Sequence, residues 1–209
     1  MLTVAEVREV YADADAVHDF DHVLRVARLA ERIGRAEGAE MAIVRAAALL
    51  HDIDRKAAEA SGADHAQVAA ARAREILAAQ PEAKIEAIVH AIAAHRFRTD
   101  PAPATLEAQV LFDADKLDAI GAIGVARAFA YGGAHGQRLW APIESVDLVN
   151  WDLHGDDPDT HTPVHEFIVK LSRIKNRLYT RTGRRIAAHR HETMVAFFAR
   201  LTREVQGKA

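Results

Sequence analysis

Apolar residues recur three and four positions apart along most of this chain, the period of a helix that buries one face. In Asp21–Arg35 the repeat is carried by Val23, Val26, Ala27, Ala30 and Ile33, and Gly38 closes the run. Met41–His51 presents Ile43, Ala46, Ala47 and Leu50 as its buried stripe, and His65–Ala79 stops before Pro81. Pro81 opens a fourth run through Ile85, Ile88, Val89 and Ile92 that ends near His95. Leu106–Leu117 leads into Ala119–Tyr131, where Gly132-Gly133 is the expected terminator; Val164–Tyr179 and Arg185–Val205 complete the set. No stretch alternates with period two, and no repeat has a fixed length. The pattern predicts an all-α fold. Half of the 209 residues are hydrophobic and only 6% are aromatic, so the core is Ala, Leu, Val and Ile on closely packed helices. That length suits a single domain, residues 1–209.

Residues 132–163 break the pattern. They collect Gly, Pro, Asp and both tryptophans, Trp140 and Trp151. A connection that long is more often a lid or insertion than slack, and the tryptophans predict that part of it packs; a floppy linker is the alternative. The formal net charge of −3 argues against nucleic acid as a partner of the whole molecule. The absence of cysteine excludes disulfides, thiolate metal sites and a thiol nucleophile. The N-terminus carries charge where a signal peptide needs an apolar run, and no segment approaches the roughly 18 apolar residues of a membrane span. The expectation is a cytoplasmic protein with no membrane partner.

Ionisable residues interrupt these apolar faces at a few places. His22 is followed by Val26, Leu29 and Ile33 at helical steps, so it faces the core; His51-Asp52 closes the aliphatic helix; Asp115 shares a face with Leu111 and Ala108. Each has an ordinary explanation alone: a hydrogen-bonded core histidine, a His⁺ at a helix carboxyl end, a carboxylate paired to an arginine. One bound cation replaces all three explanations, because a bare ionisable group is costly to bury. Two imidazoles with two carboxylates suit a divalent ion such as Mn²⁺, Mg²⁺, Fe²⁺, Co²⁺ or Ni²⁺.

His22-Val23-Leu24-Arg25-Val26, Leu49-Leu50-His51-Asp52-Ile53 and Asp113-Ala114-Asp115-Lys116-Leu117-Asp118 together resemble the H…HD…D signature of the HD-domain metal-dependent phosphohydrolases. His18-Asp19, Ile120-Gly121-Ala122-Ile123-Gly124 and His165 with Lys170-Leu171 extend the likeness to a compact, single-domain bacterial branch, from about His18 to Arg200. The resemblance implies an all-α bundle in which His22, His51, Asp52 and Asp115 hold one metal ion, with Mn favoured. It also implies hydrolysis of nucleotide phosphoester or phosphoanhydride bonds, with release of pyrophosphate from (deoxy)nucleoside triphosphates as the first expectation. A 5′-nucleotidase-type phosphomonoesterase is the nearest alternative.

Asp54 and Asp118 are the nearest spare carboxylates for handling the attacking water's proton. Asp54 is preferred, against an equal case that it is a surface turn residue beside Arg55. His18 lies one helical turn before His22 as a further catalytic candidate. Phosphate oxygens need cations, and Arg25, Lys56 and Lys116 flank the ligand motifs. Residues 170–190 hold eight Lys and Arg and no acid; the run reads as a solvated basic face or as a polyphosphate attractant. Within the likeness, Lys170 and His165 are the expected substrate contacts, and His95 is a substrate group or a partner of the ligands.

Between Asp52 and Asp115 lie His65, His90 and His95, enough imidazoles for a second ion. His65 reads as a helix cap or a solvent-facing residue, and His90 and His95 point about 140° apart on one helix. Dinuclear members of the superfamily this chain resembles place two further histidine ligands in this interval, so the resemblance also implies a dinuclear iron oxygenase as one rival reading. A non-catalytic interaction module is the other, weakened by the presence of all four ligands.

Overall fold

The computed structural model describes residues 3–11, 20–96, 101–142 and 161–208, and every regular element among them is helical. In chain order these are α1 (Val4–Val10), α2 (Phe20–Glu37), α3 (Met41–Leu50), α4 (Arg55–Ser61), α5 (His65–Ile76) and α6 (Glu82–Ala93). There follow α7 (Leu106–Asp118), α8 (Gly121–Ala134), α9 (Pro163–Val169), a 3-10 helix (Leu171–Asn176) and α10 (Arg181–Val205). No helix among them is long and apolar enough to cross a membrane. Two compact units emerge: Met1–Lys116 with Leu178–Gly183, and Leu117–Arg177 with Arg184–Ala209.

In the first unit α2 packs on α3, α3 on α6 and α6 on α5. On α2, Val23, Val26, Ala30 and Ile33 are fully enclosed as the periodicity predicts, while Ala27 stays partly exposed. On α3 the stripe is rotated, enclosing Val44 and Ala48 beside Ala47 and Leu50, while Ile43 and Ala46 stay partly exposed. Ala66, Ala69 and Ala73 of α5 meet the interior with Ile85, Ile88 and Ile92 of α6. Alanine on one surface and isoleucine on the next allow close approach without voids.

Two helices of this unit carry no apolar run long enough to announce them. In α1, Thr3 accepts from the Glu6 amide while Glu6 accepts from the Thr3 amide, a reciprocal cap. The other, α4, is bracketed by residues in left-handed backbone, Asp54 at φ 58° and Gly62 at φ 71°.

The start of α10 is anchored by Asp113 on α7. Its buried carboxylate accepts from the Tyr179 amide at 2.9 Å, the Thr180 amide at 2.8 Å and the Thr180 hydroxyl at 2.6 Å. Thr180 Oγ1 in turn accepts from the Gly183 amide at 2.9 Å, capping the helix. Gly183 is obligatory there: a Cβ would lie 2.4 Å from Asp113 Oδ2 and 2.7 Å from Thr180 Oγ1.

In the second unit three boundaries differ from expectation. The helical run does not pass smoothly from Leu117 to Tyr131; Gly121 turns the chain at φ +80°, with the Arg190 side chain against it and the Arg190 guanidinium bonded to Leu117 O. Gly132-Gly133 does not end α8, which continues to Ala134; the stop is His135 followed by Gly136 at φ +67°. The run 164–179 is two elements, interrupted at Lys170 with φ −127° and ψ −61°. Of the suspected lid, residues 143–160, Trp151 among them, lie outside the described residues.

Candidate metal centre

The ends of α3 and α6 and the beginnings of α2 and α5 meet in the first unit, and each delivers a histidine. His22, His51 and His95 are enclosed, with the Asp52 carboxylate between them. His22 Nε2 lies 3.3 Å from His51 Nε2, 3.7 Å from Asp52 Oδ2 and 3.5 Å from Asp115 Oδ1. His51 Nε2 is 3.8 Å from Asp52 Oδ2. The other carboxylate oxygen, Asp52 Oδ1, faces a different imidazole pair, His65 Nε2 at 3.8 Å and His95 Nε2 at 3.7 Å. Two triads of donor atoms, His22-His51-Asp52 and Asp52-His65-His95, thus share one aspartate.

Local helix chemistry aims the rings. His51 Nδ1 sits 2.9 Å from Ala48 O and His95 Nδ1 sits 2.6 Å from Ile92 O, each three residues back at a helix carboxyl end. A carbonyl only accepts, so Nδ1 carries the proton and the neutral ring presents the Nε2 lone pair to the cluster. Burial supports that state. It pushes the His95 pKa down to about 3 against the pull of the nearby carboxylates. The same cause takes His65 down to about 4 and lowers His51.

Both carboxyls are held ionised. Burial opposes charge on Asp52, but the Arg55 guanidinium, the permanently charged group beside it, helps hold the carboxyl below the usual carboxylate range. Burial likewise opposes charge on Asp115, where Lys116, His22 and His51 prevail. Arg55 Nη1 reaches Asp52 Oδ2 at 2.9 Å and Lys116 Nζ reaches Asp115 Oδ2 at 2.6 Å.

The arrangement fits a divalent ion on its own terms. Asp52 Oδ1 is buried with no hydrogen-bond donor, an expensive condition for a carboxylate oxygen. Ligand atoms around an ion with bonds of roughly 2.1 Å lie roughly 3.0–3.5 Å apart, close to the spacings between the donor atoms here. A donor set of imidazole and carboxylate suits hard or borderline divalent ions.

Of the anticipated ligands, His22, His51, Asp52 and Asp115 come together. His95, read as a substrate group or a partner of the ligands, lies beside Asp52 Oδ1, and His65, read as a cap or a surface group, joins it there. His90 is elsewhere, its Nε2 accepting from the Ala104 amide at 3.1 Å. Asp54 is exposed, in left-handed backbone, with Arg72 Nε 3.7 Å from its carboxylate. Lys56 is exposed and Arg25 half-buried. Lys116 spans Asp115 and the Phe112 ring.

In the second unit Asp118 is buried and takes Arg127 Nη1 at 3.1 Å. His165 is buried there beside His161, and Lys170 Nζ lies 2.6 Å from Glu166 Oε1. His18 lies outside the described residues. Sequence reasoning also passed over Tyr11, whose hydroxyl donates to Leu49 O at 3.1 Å. Burial and the Asp52 charge push that phenol's pKa well up.

The HD domain family model matches residues 19–120, the stretch that holds every member of the cluster. Over 206 residues the chain is 32% identical to the YpgQ protein of Bacillus subtilis, covering 96% of this chain and 91% of that one. This chain belongs to the HD domain family. The solved structure of Bacillus subtilis YpgQ in complex with ADP superposes on this HD protein with a TM-score of 0.70 at 30% identity, covering 96% of this chain and 92% of that one. A Lactobacillus plantarum protein gives 0.75 at 31%, covering 98% and 95%. An HD-superfamily hydrolase of Bacillus thuringiensis gives 0.73 at 27%, covering 97% and 94%. The HD signature accounts for His22, His51, Asp52 and Asp115; His65 and His95 enter through the fold.

Proposed function

We propose that this HD protein is a metal-dependent phosphohydrolase that cleaves (deoxy)nucleoside triphosphates to the monophosphate and pyrophosphate in the cytoplasm. The observation that carries the reading is Asp52: buried, ionised and shared between two imidazole pairs, with one oxygen lacking a donor. The likeness to a Bacillus hydrolase of this superfamily supports hydrolysis, and the likeness to YpgQ, solved with ADP, supports a nucleotide substrate. Manganese is the favoured ion on His22, His51, Asp52 and Asp115; when bound, it supplies a water of lowered pKa and neutralises charge at phosphorus.

The remaining work falls to the chain. His22, His51 and His95 exclude bulk water by enclosing the carboxylates, and their fixed rings keep the donor atoms converged. Lys116, already paired with Asp115, offers its ammonium to a phosphate oxygen, and Arg25 and Lys56 supply further positive charge from α2 and α4. Asp54 and Asp118 are the proposed proton acceptors for the attacking water, which adds at the α-phosphorus as pyrophosphate leaves. His18, His165 and Lys170 complete the proposed catalytic and substrate contacts.

The test is a panel of nucleotides with Mn²⁺ and product identification. Pyrophosphate with monophosphate is expected; orthophosphate with nucleoside would make the protein a phosphomonoesterase. Asp52→Ala should abolish turnover while far-UV circular dichroism stays helical, and full activity in that variant removes the proposed site. The triad Asp52-His65-His95 favours one second reading, occupancy by two ions. Two irons per chain with oxygen-dependent turnover would identify an oxygenase instead.

A further inference from the structure

We infer that Tyr11 is a positioning residue for the metal centre, joining the carboxyl end of α3, which bears His51-Asp52, to the beginning of α2, which bears His22. The inference rests on the metal-dependent reading above and adds a residue to it.

A helix leaves its last carbonyls without intrahelical partners. At the end of α3 the last three find partners outside the regular helical ladder. Ala48 O receives the His51 ring at 2.9 Å, and Leu50 O receives the Ile53 amide at 3.3 Å. Leu49 O receives the Tyr11 hydroxyl at 3.1 Å, from 38 residues upstream. Leu49 is buried and its bond to the phenol is part-buried, so losing the phenol deprives this carbonyl of its protein partner.

The same ring packs on the neighbouring helix. Its centroid lies 5.5 Å from that of Phe20 at an interplanar angle of 57°, and Phe20 opens α2 two residues before His22. Arg8 of α1 lies over the Phe20 ring, 4.7 Å from its centroid. The 3.3 Å separation of the His22 and His51 Nε2 atoms depends on how the beginning of α2 sits against the end of α3. Tyr11 touches both: hydroxyl on one, ring on the other. It contacts no donor atom of the cluster, so its effect passes through the backbone that presents the donors.

Tyr11→Phe separates the two contacts, retaining the ring on Phe20 and deleting the bond to Leu49. Mn²⁺ binding to the metal-stripped full chain is measured by titration calorimetry, and the apo protein's Tm is recorded alongside. Loss of a group that orients a metal ligand typically weakens binding by about 10–100-fold, and a rise in Kd of about tenfold is expected here. Turnover should return as Mn²⁺ is raised. Ile33→Val, at the far end of α2, is the control for general loosening: a lower Tm with unchanged Kd. Asp52→Ala tests the underlying reading separately, because wild-type binding that vanishes in this variant establishes the centre whatever Tyr11 does. With the centre so established, a Tyr11→Phe Kd within twofold of wild type overturns the inference. So does an equal weakening by Ile33→Val.

Discussion

Replacing Asp113 with alanine should cost about 3–6 kcal/mol of folding stability, and the figure follows from two of its three hydrogen bonds. Bonds to a charged acceptor contribute a net of about 1.5–3 kcal/mol each. Tyr179 is 41% exposed, so water takes over its amide when the carboxylate goes, and that bond is left out of the sum. Thr180 is 4% exposed, and both its amide and its hydroxyl are stranded. Asp113→Asn keeps one acceptor oxygen and should lose less, about 2 kcal/mol. Gly183→Ala pushes a methyl group into the same carboxylate and should cost about 1–3 kcal/mol. Because both changes break one network, the double variant should fall clearly short of the sum of the singles. Urea unfolding followed by circular dichroism compares the four variants with wild type. An Asp113→Ala loss below about 1 kcal/mol, or strict additivity with Gly183→Ala, refutes the anchoring role.

Two further outcomes are expected. Mn²⁺ at about a hundred times its Kd should stabilise the native state by about 2.7 kcal/mol, a Tm rise of about 5–10 °C for a chain of this size; Asp52→Ala should show none in differential scanning calorimetry. Burial opposes charge on Glu166, but His161 and Lys170 outweigh it and hold the pKa down to about 2. A folded value below the unfolded one stabilises above about pH 4.3 and loses that contribution as pH falls toward 2. The Tm gap between wild type and Glu166→Gln should therefore be full at pH 6 and shrink steadily below pH 4; a gap independent of pH contradicts the pairing.

The helical class and four of the six clustered residues were legible because both are written in spacing. His22 faces the core by its steps to Val26, Leu29 and Ile33, and Asp115 by its steps to Leu111 and Ala108. His65 was not legible. It is the first residue of α5, behind the Asp64 cap, and no apolar period yet fixes the direction of a side chain there. His95 lies past the end of α6, where only its back-bond to Ile92 O aims the ring. The acidic motif hid a division of labour: Asp113 caps the chain at Tyr179 and Thr180, where α10 starts, and Asp115 faces His22, because residues two apart on a helix do not share a side. Gly132-Gly133 misled because glycine ends a helix only where the backbone turns to positive φ, and that happens at Gly136. In α1, by contrast, Thr3 and Glu6 carried a readable capping signal that the weak apolar pattern obscured.

His51 and His95 do two jobs with one ring: Nδ1 closes the end of a helix while Nε2 faces the cluster. Any mutation that deletes either imidazole therefore frays a helix as well as removing a donor, and its phenotype mixes misfolding with lost chemistry. An aspartate that only receives has no such second duty. Selection acting on this chain meets the same linkage, since drifting away from metal dependence through the histidines would erode the scaffold first.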